Sequence, residues 1–119
     1  MSVQPLDVSY LTGRIADIST AGQIYFYVPT DGRLEAVHSV LNGVIATADA
    51  DLTVKQTGSA TATLATITVT ASGSAAGDVD SATLDTAVVA GDLIEVETDG
   101  ASTNAIGTDI MLVLRKRTA

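Results

Sequence analysis

Cysteine and tryptophan are absent from this 119-residue chain, and histidine and phenylalanine occur once each. Without cysteine there is no disulfide staple, no thiol nucleophile and no thiolate metal site. A zinc centre would have to rest on His38 and carboxylates, short of the usual ligand set. With three Glu and two Lys, the chain has little material for long solvent-facing helices, which draw on those residues. Positive charge is scarce: 6 basic residues stand against 14 acidic ones, for a net charge of −8 and a pI near 4.2. A duplex-binding surface needs a basic footprint to displace counterions, so nucleic acid is not an expected partner, nor is an anionic lipid surface. No apolar run approaches the ~20 residues of a membrane-spanning helix. The opening Met1-Ser2-Val3-Gln4-Pro5-Leu6-Asp7 has neither the basic nor the apolar segment of a secretory leader.

What is present favours strands. Hydrophobic residues make up 46% of the chain, chiefly Ala and Val, and Thr is abundant. β-branched side chains pack well on a pleated surface and lose rotamer freedom in a helix. The length suits one domain. Residues 1–12 lack a clear period and contain Pro5, so they read as an N-terminal arm or edge segment, with a single domain over 13–119.

From Gly13 onward, short extended runs alternate with turn residues. Ile24, Phe26 and Val28 share one face of a strand, opposite Gln23, Tyr25 and Tyr27. Pro29-Thr30-Asp31-Gly32 reads as a turn with Gly at positive φ, followed by a strand over 33–41. Asn42-Gly43 predicts a tight hairpin, because a type I′ turn needs positive φ at both positions. Leu52 and Val54 lie on one face of the next strand. In 61–70, Ala62 and Leu64 differ in parity from Ile67 and Val69, which predicts a bulge near Ala65-Thr66. Residues 71–91, rich in Gly, Ser, Ala and Asp, read as a long loop crossing between sheets. Ile94 and Val96 face inward from a later strand. The last run, Ile110–Leu114, is apolar on both faces, so it is either central or set against a partner. The expected fold is all-β: an antiparallel two-sheet sandwich of jelly-roll type with about eight strands, a small open barrel being the second choice.

Reactive chemistry finds few carriers. His38 has no G-x-S-x-G elbow to serve, and a catalytic triad would have to recruit scattered Ser and Asp residues. The pairs Asp49/Asp51 and Asp78/Asp80 invite comparison with calcium loops but lack the EF-hand spacing. No phosphate-cradling Gly loop leads into a helix. The reading is therefore a non-enzyme without cofactor, and the candidate functional residues are interface residues. Tyr25 and Tyr27 offer apolar area with a polar tip. Met111 and Val113 form the second apolar face of the last strand. Arg115, Lys116 and Arg117 gather half of the positive charge at one end.

The segments Ile18-Ser19-Thr20-Ala21-Gly22, Val28-Pro29-Thr30-Asp31-Gly32-Arg33-Leu34, Ser39 to Ala50, Ser72 to Asp80, Ala90 to Val96 and Thr98 to Thr103 resemble a family of small proteins from the head gene clusters of tailed bacteriophages. Several of these look like capsid decoration (cement) proteins. The resemblance covers roughly residues 14–115 and rests on turn and loop pieces; the arm over 1–12 does not match the shared pattern. It implies a β-sandwich on the outer surface of the virion capsid, present in the host cytoplasm before assembly. The implied partners are the major capsid protein and further copies of itself, a trimer ahead of a dimer, with no catalytic residues carried across. The alternative reading is a tail- or fibre-type module that recognises a carbohydrate or host surface through Tyr25 and Tyr27.

Overall fold

The computed structural model describes residues 8–116, whose regular elements are eight strands. They are β1 (Val8–Ile15), β2 (Gly22–Tyr27), β3 (Gly32–Leu41), β4 (Ala50–Thr57), β5 (Ala62–Val69), β6 (Val79–Val88), β7 (Leu93–Thr98) and β8 (Thr108–Lys116). Two antiparallel sheets result, ordered β1-β8-β3-β6 and β2-β7-β4-β5. The pairing is nested: β1 with β8, β2 with β7, β3 with β6 and β4 with β5. The chain thus behaves as one long hairpin, with its tip at β4–β5, doubled over so that β3–β8 and β4–β7 also pair. This wrapping defines a jelly-roll sandwich rather than an open barrel.

Alternation decides which side chains enter the space between the sheets. From β8 come Ile110, Leu112 and Leu114; from β3, Leu34, Val37 and Leu41. The other sheet answers with Phe26, Leu52, Val54, Ile67, Val69, Ile94 and Val96. Leu112 is fully buried, and removing such a side chain from water contributes about 2 kcal/mol. β8 is central in its sheet: one of its apolar faces fills the core, while Met111 and Val113 point away from it, half-buried. The parity change in β5 is a bulge. Val54 opposes Ala65 and Lys55 opposes Thr63, which leaves Leu64 as the extra residue, one position from the expected site.

Four local expectations give way. Of the two readings of 1–12, arm or edge segment, Val8–Thr12 follow the second: they belong to edge strand β1, in register with Met111–Arg115, and the strand runs through the division set at Gly13; residues 1–7 lie outside the described residues. Asn42-Gly43 makes no hairpin. Both edges of β3 are occupied, by β8 and β6, so the chain must leave for the other sheet. The backbone there is tied down at long range: Asn42 N donates to Gly107 O at 3.0 Å, and Gly77 N donates to Leu41 O at 2.7 Å. Competition for strand edges overrides the local turn preference. The loop expected over 71–91 contains β6, a strand at a sheet edge whose inward residues include only two large buried ones, Leu84 and Val88. Its small, polar composition reflects cover on one side only. The true crossing, 70–78, is laced to the 42–49 crossing by Ser74, whose hydroxyl accepts from Ile45 N and donates to Ile45 O, both at 3.0 Å. Finally, Gly32 is not a positive-φ turn residue; it opens β3 where a Cβ would run into the carbonyl oxygen of Arg115.

Candidate functional site: the outward face of the β1-β8-β3-β6 sheet

Register places residues distant in sequence in rows across this face. Tyr10 opposes Val113, which opposes Ala36, which opposes Thr83. One step along, Thr12, Met111, His38 and Ser81 form the next row, followed by Arg14, Asp109, Val40 and Val79. Tyr10 and Val79 are each 61% exposed, and Met111, Val113, Val40 and Ala36 are half-buried between them. A shallow depression of about 510 Å³ lies over the middle rows, lined by Thr12, Arg14, His38, Val40, Asp109 and Met111.

The charges on this face come in pairs. Arg14 meets Asp109 at 3.4 Å, Arg33 meets Asp85 at 2.7 Å, and Arg115 meets Glu35 at 2.8 Å. Three cations and three acids cancel, so the net −8 of the chain belongs to its remaining eleven acids and three cations. The face is electrically neutral on a strongly acidic molecule.

The opposite face, outside β2-β7-β4-β5, has a different character. Tyr25, Glu95 and Lys55 lie in one row, and Gln23, Glu97 and Thr53 in the next. Lys55 Nζ donates to Glu97 Oε1 at 3.0 Å, and that hydrogen bond, with the carboxylate charges of Glu97 and Glu95, raises the Lys55 pKa. Asp51, Glu95 and Glu97 outnumber Lys55, so this face is acidic. Its β2 edge carries an apolar corner, with Tyr25 58%, Tyr27 66% and Leu93 39% exposed.

The sequence candidates therefore fall on two surfaces. Met111, Val113 and Arg115 share the neutral face, while Tyr25 and Tyr27 sit on the acidic one. Lys116 is exposed at the end of β8, and Arg117 lies outside the described residues. Arg115 is engaged by Glu35 within the same molecule. Tyr10, Val40 and Val79 join this face through the register alone; the one local signal is the alternation of Tyr10-Thr12-Arg14 against Leu11-Gly13-Ile15 in β1.

His38 Nδ1 lies 2.6 Å from Ser81 Oγ, a pair set across the β3–β6 ladder, with His38 lining the shallow depression. Among the described residues, no group of three or more His, Asp or Glu side chains is arranged to hold a metal ion. Asp49 accepts from Ala71 N at 2.9 Å and Asp78 from Ala75 N at 2.9 Å in the connections, while Asp51 accepts from its cross-strand partner Thr68 Oγ1 at 2.8 Å. Burial, with the neighbouring Asp78 charge, pushes the Asp80 pKa up.

The fold and this face define a jelly-roll sandwich with a broad, neutral, partly apolar sheet surface. No protein-family model matches the chain, and no curated protein matches it. Among solved structures, the chain is similar to the Eiger TNF of S. frugiperda, with a TM-score of 0.59 over 98% of this chain and 96% of that one. Identity is 9%, so the likeness is one of fold.

Proposed function

We propose that this protein is a structural component of a bacteriophage virion, a decoration protein that binds the outside of the major capsid protein shell and stabilises the head. The observation that carries the reading is the outward face of the β1-β8-β3-β6 sheet, a broad neutral surface with one shallow, open depression, suited to docking. The resemblance of the turn and loop segments to head-cluster proteins supports it independently. The Tyr25–Tyr27–Leu93 corner supplies a second adhesive surface on the other sheet, and a part that meets both its own copies and a shell needs more than one. Weak single contacts suffice when several are linked, because each bound contact raises the local concentration for the next. The acidic remainder keeps the free protein soluble and away from nucleic acid. The working location is the outer surface of the virion, reached from the host cytoplasm.

The test mixes purified protein with expanded heads assembled without it. Saturable binding and a higher melting temperature of the heads are the expected results; no binding at saturating concentration overturns the reading. A second reading, a carbohydrate- or host-surface-binding module, rests on Tyr25 and Tyr27 standing exposed beside Glu95. Glycan-array binding abolished by Tyr25→Ala would favour it over the decoration role.

A further inference from the structure

We infer that the outward face of the β1-β8-β3-β6 sheet binds a second copy of this chain, with Met111 and Val113 at the centre of the contact. The inference names the surface used for self-association within the decoration reading, yet its physical basis does not depend on a capsid. Two copies of a molecule carrying −8 repel each other, and the repulsion is strongest where acidic surfaces would meet. Of the two broad faces, the β2-β7-β4-β5 side presents Asp51, Glu95 and Glu97 against Lys55 alone. The β1-β8-β3-β6 side balances its three arginines with three carboxylates, so two copies approach through it without opposing like charge. A nucleic acid or an anionic membrane would gain little there, because each guanidinium already holds a carboxylate.

Composition and size agree. Ala36, Met111 and Val113 lie on the two central strands, Tyr10 stands at the β1 edge, and Val40 and Val79 continue the apolar surface beside the Arg14–Asp109 pair; the other two ion pairs lie at the opposite end, so the apolar patch is bordered by charge as interface cores are. Tyr10 and Met111 are residue types enriched in such cores. The four strands run eight to ten residues each. At about 4.8 Å between strands and about 3.3 Å per residue, the face measures roughly 19 by 27 Å. Its projected area of about 500 Å², increased by side-chain corrugation, approaches the ~800 Å² per partner of a standard interface.

Sedimentation velocity and light scattering on the full chain, from about 1 to 100 μM, test the inference. The expected result is a dimer or larger assembly that tightens as NaCl rises, since salt screens repulsion between the acidic bodies. Met111→Glu places a carboxylate opposite its counterpart and is expected to weaken association roughly a hundredfold, leaving a 12.1 kDa monomer with an unchanged circular dichroism spectrum. Tyr10→Glu, at an exposed edge position, should act in the same direction and serves if Met111→Glu misfolds. Tyr27→Glu on the opposite face should leave the assembly intact. A wild-type monomer at 100 μM overturns the inference. So does an assembly untouched by both Met111→Glu and Tyr10→Glu, or one dissociated by Tyr27→Glu. Head binding by a wild-type monomer would overturn the self-contact while sparing the decoration reading, and self-assembly without head binding would do the reverse.

Discussion

Replacing Asp92 should cost more stability at neutral pH than any other single surface-loop change, and the cost should fade in acid. Asp92 stands at the entry to β7 and is 3% exposed. Its carboxylate accepts four hydrogen bonds: Ser59 N at 2.8 Å on Oδ1, and Ser59 Oγ at 2.7 Å, Val89 N at 3.0 Å and Gln56 Nε2 at 3.2 Å on Oδ2. One side chain thereby fastens the β4–β5 turn to the β6–β7 turn at one end of the sandwich. Burial pushes its pKa up, but the hydrogen bonds from Val89, Ser59 and Gln56 together outweigh burial and bring it down from 3.8 to about 2. A depression of that size corresponds to roughly 2 kcal/mol. Because the folded-state pKa lies below the unfolded one, this stabilisation is complete above about pH 5. It disappears as pH falls through 3.8 toward 2. Asp92→Ala also leaves buried donors unpaired, so a loss of about 3 kcal/mol is expected at pH 7. That corresponds to a melting point lower by about 12 °C for a domain of this size. Asp92→Asn keeps one acceptor oxygen but turns an amide toward a donor, and should lose about half as much. Urea denaturation of the three proteins at pH 7 and near pH 2.5 measures both effects. A loss below 1 kcal/mol for Asp92→Ala at pH 7, or a loss equal at the two pH values, would refute the reasoning.

Two further changes probe the sandwich. Leu112→Ala, in the central strand and fully buried, should cost about 3 kcal/mol in chemical denaturation by combining lost transfer energy with a cavity. Gly100→Ala should cost more than the roughly 1 kcal/mol of an ordinary Gly change: its φ is +69°, and an added Cβ would run into Ala21 N. A melting point unchanged by Gly100→Ala would show that the Asp99–Ala101 turn relaxes freely.

The fold was legible where periodicity and burial coincide. Ile24, Phe26 and Val28 alternate as they should, and the doubly apolar Ile110–Leu114 run marks a central strand. Legibility failed where long-range pairing outranks local preference. Asn42-Gly43 carries a strong turn signal, yet β3 has no free edge to receive a hairpin partner. The composition of 79–88 resembles a loop because an edge strand covered on one side needs few large residues. The candidate face was only half legible for a related reason. Nested pairing brings Tyr10 against Val113, and no local pattern announces a contact between residues so far apart in sequence. Met111 and Val113 were visible from their own strand, whereas Tyr10, Val40 and Val79 required the register.

The placement of the scarce cations is the strongest link between composition and surface. Exposed ion pairs contribute little stability, typically below 1 kcal/mol each, and Arg14, Arg33 and Arg115 are all about half exposed. Stability therefore does not explain why three of the four arginines stand on one sheet face. Relief of general repulsion would be served better by cations among the acidic connections that hold Asp49, Asp78 and Asp99. The arginines instead meet Asp109, Asp85 and Glu35, and their effect is local: they cancel the carboxylates of the face that also carries Tyr10, Met111, Val113 and Val79. Substituting Arg33 by Gln would leave Asp85 uncompensated there while making the net charge one unit more negative. On the docking account it should weaken self-association more than Lys55→Gln, which makes the same change in net charge on the opposite face.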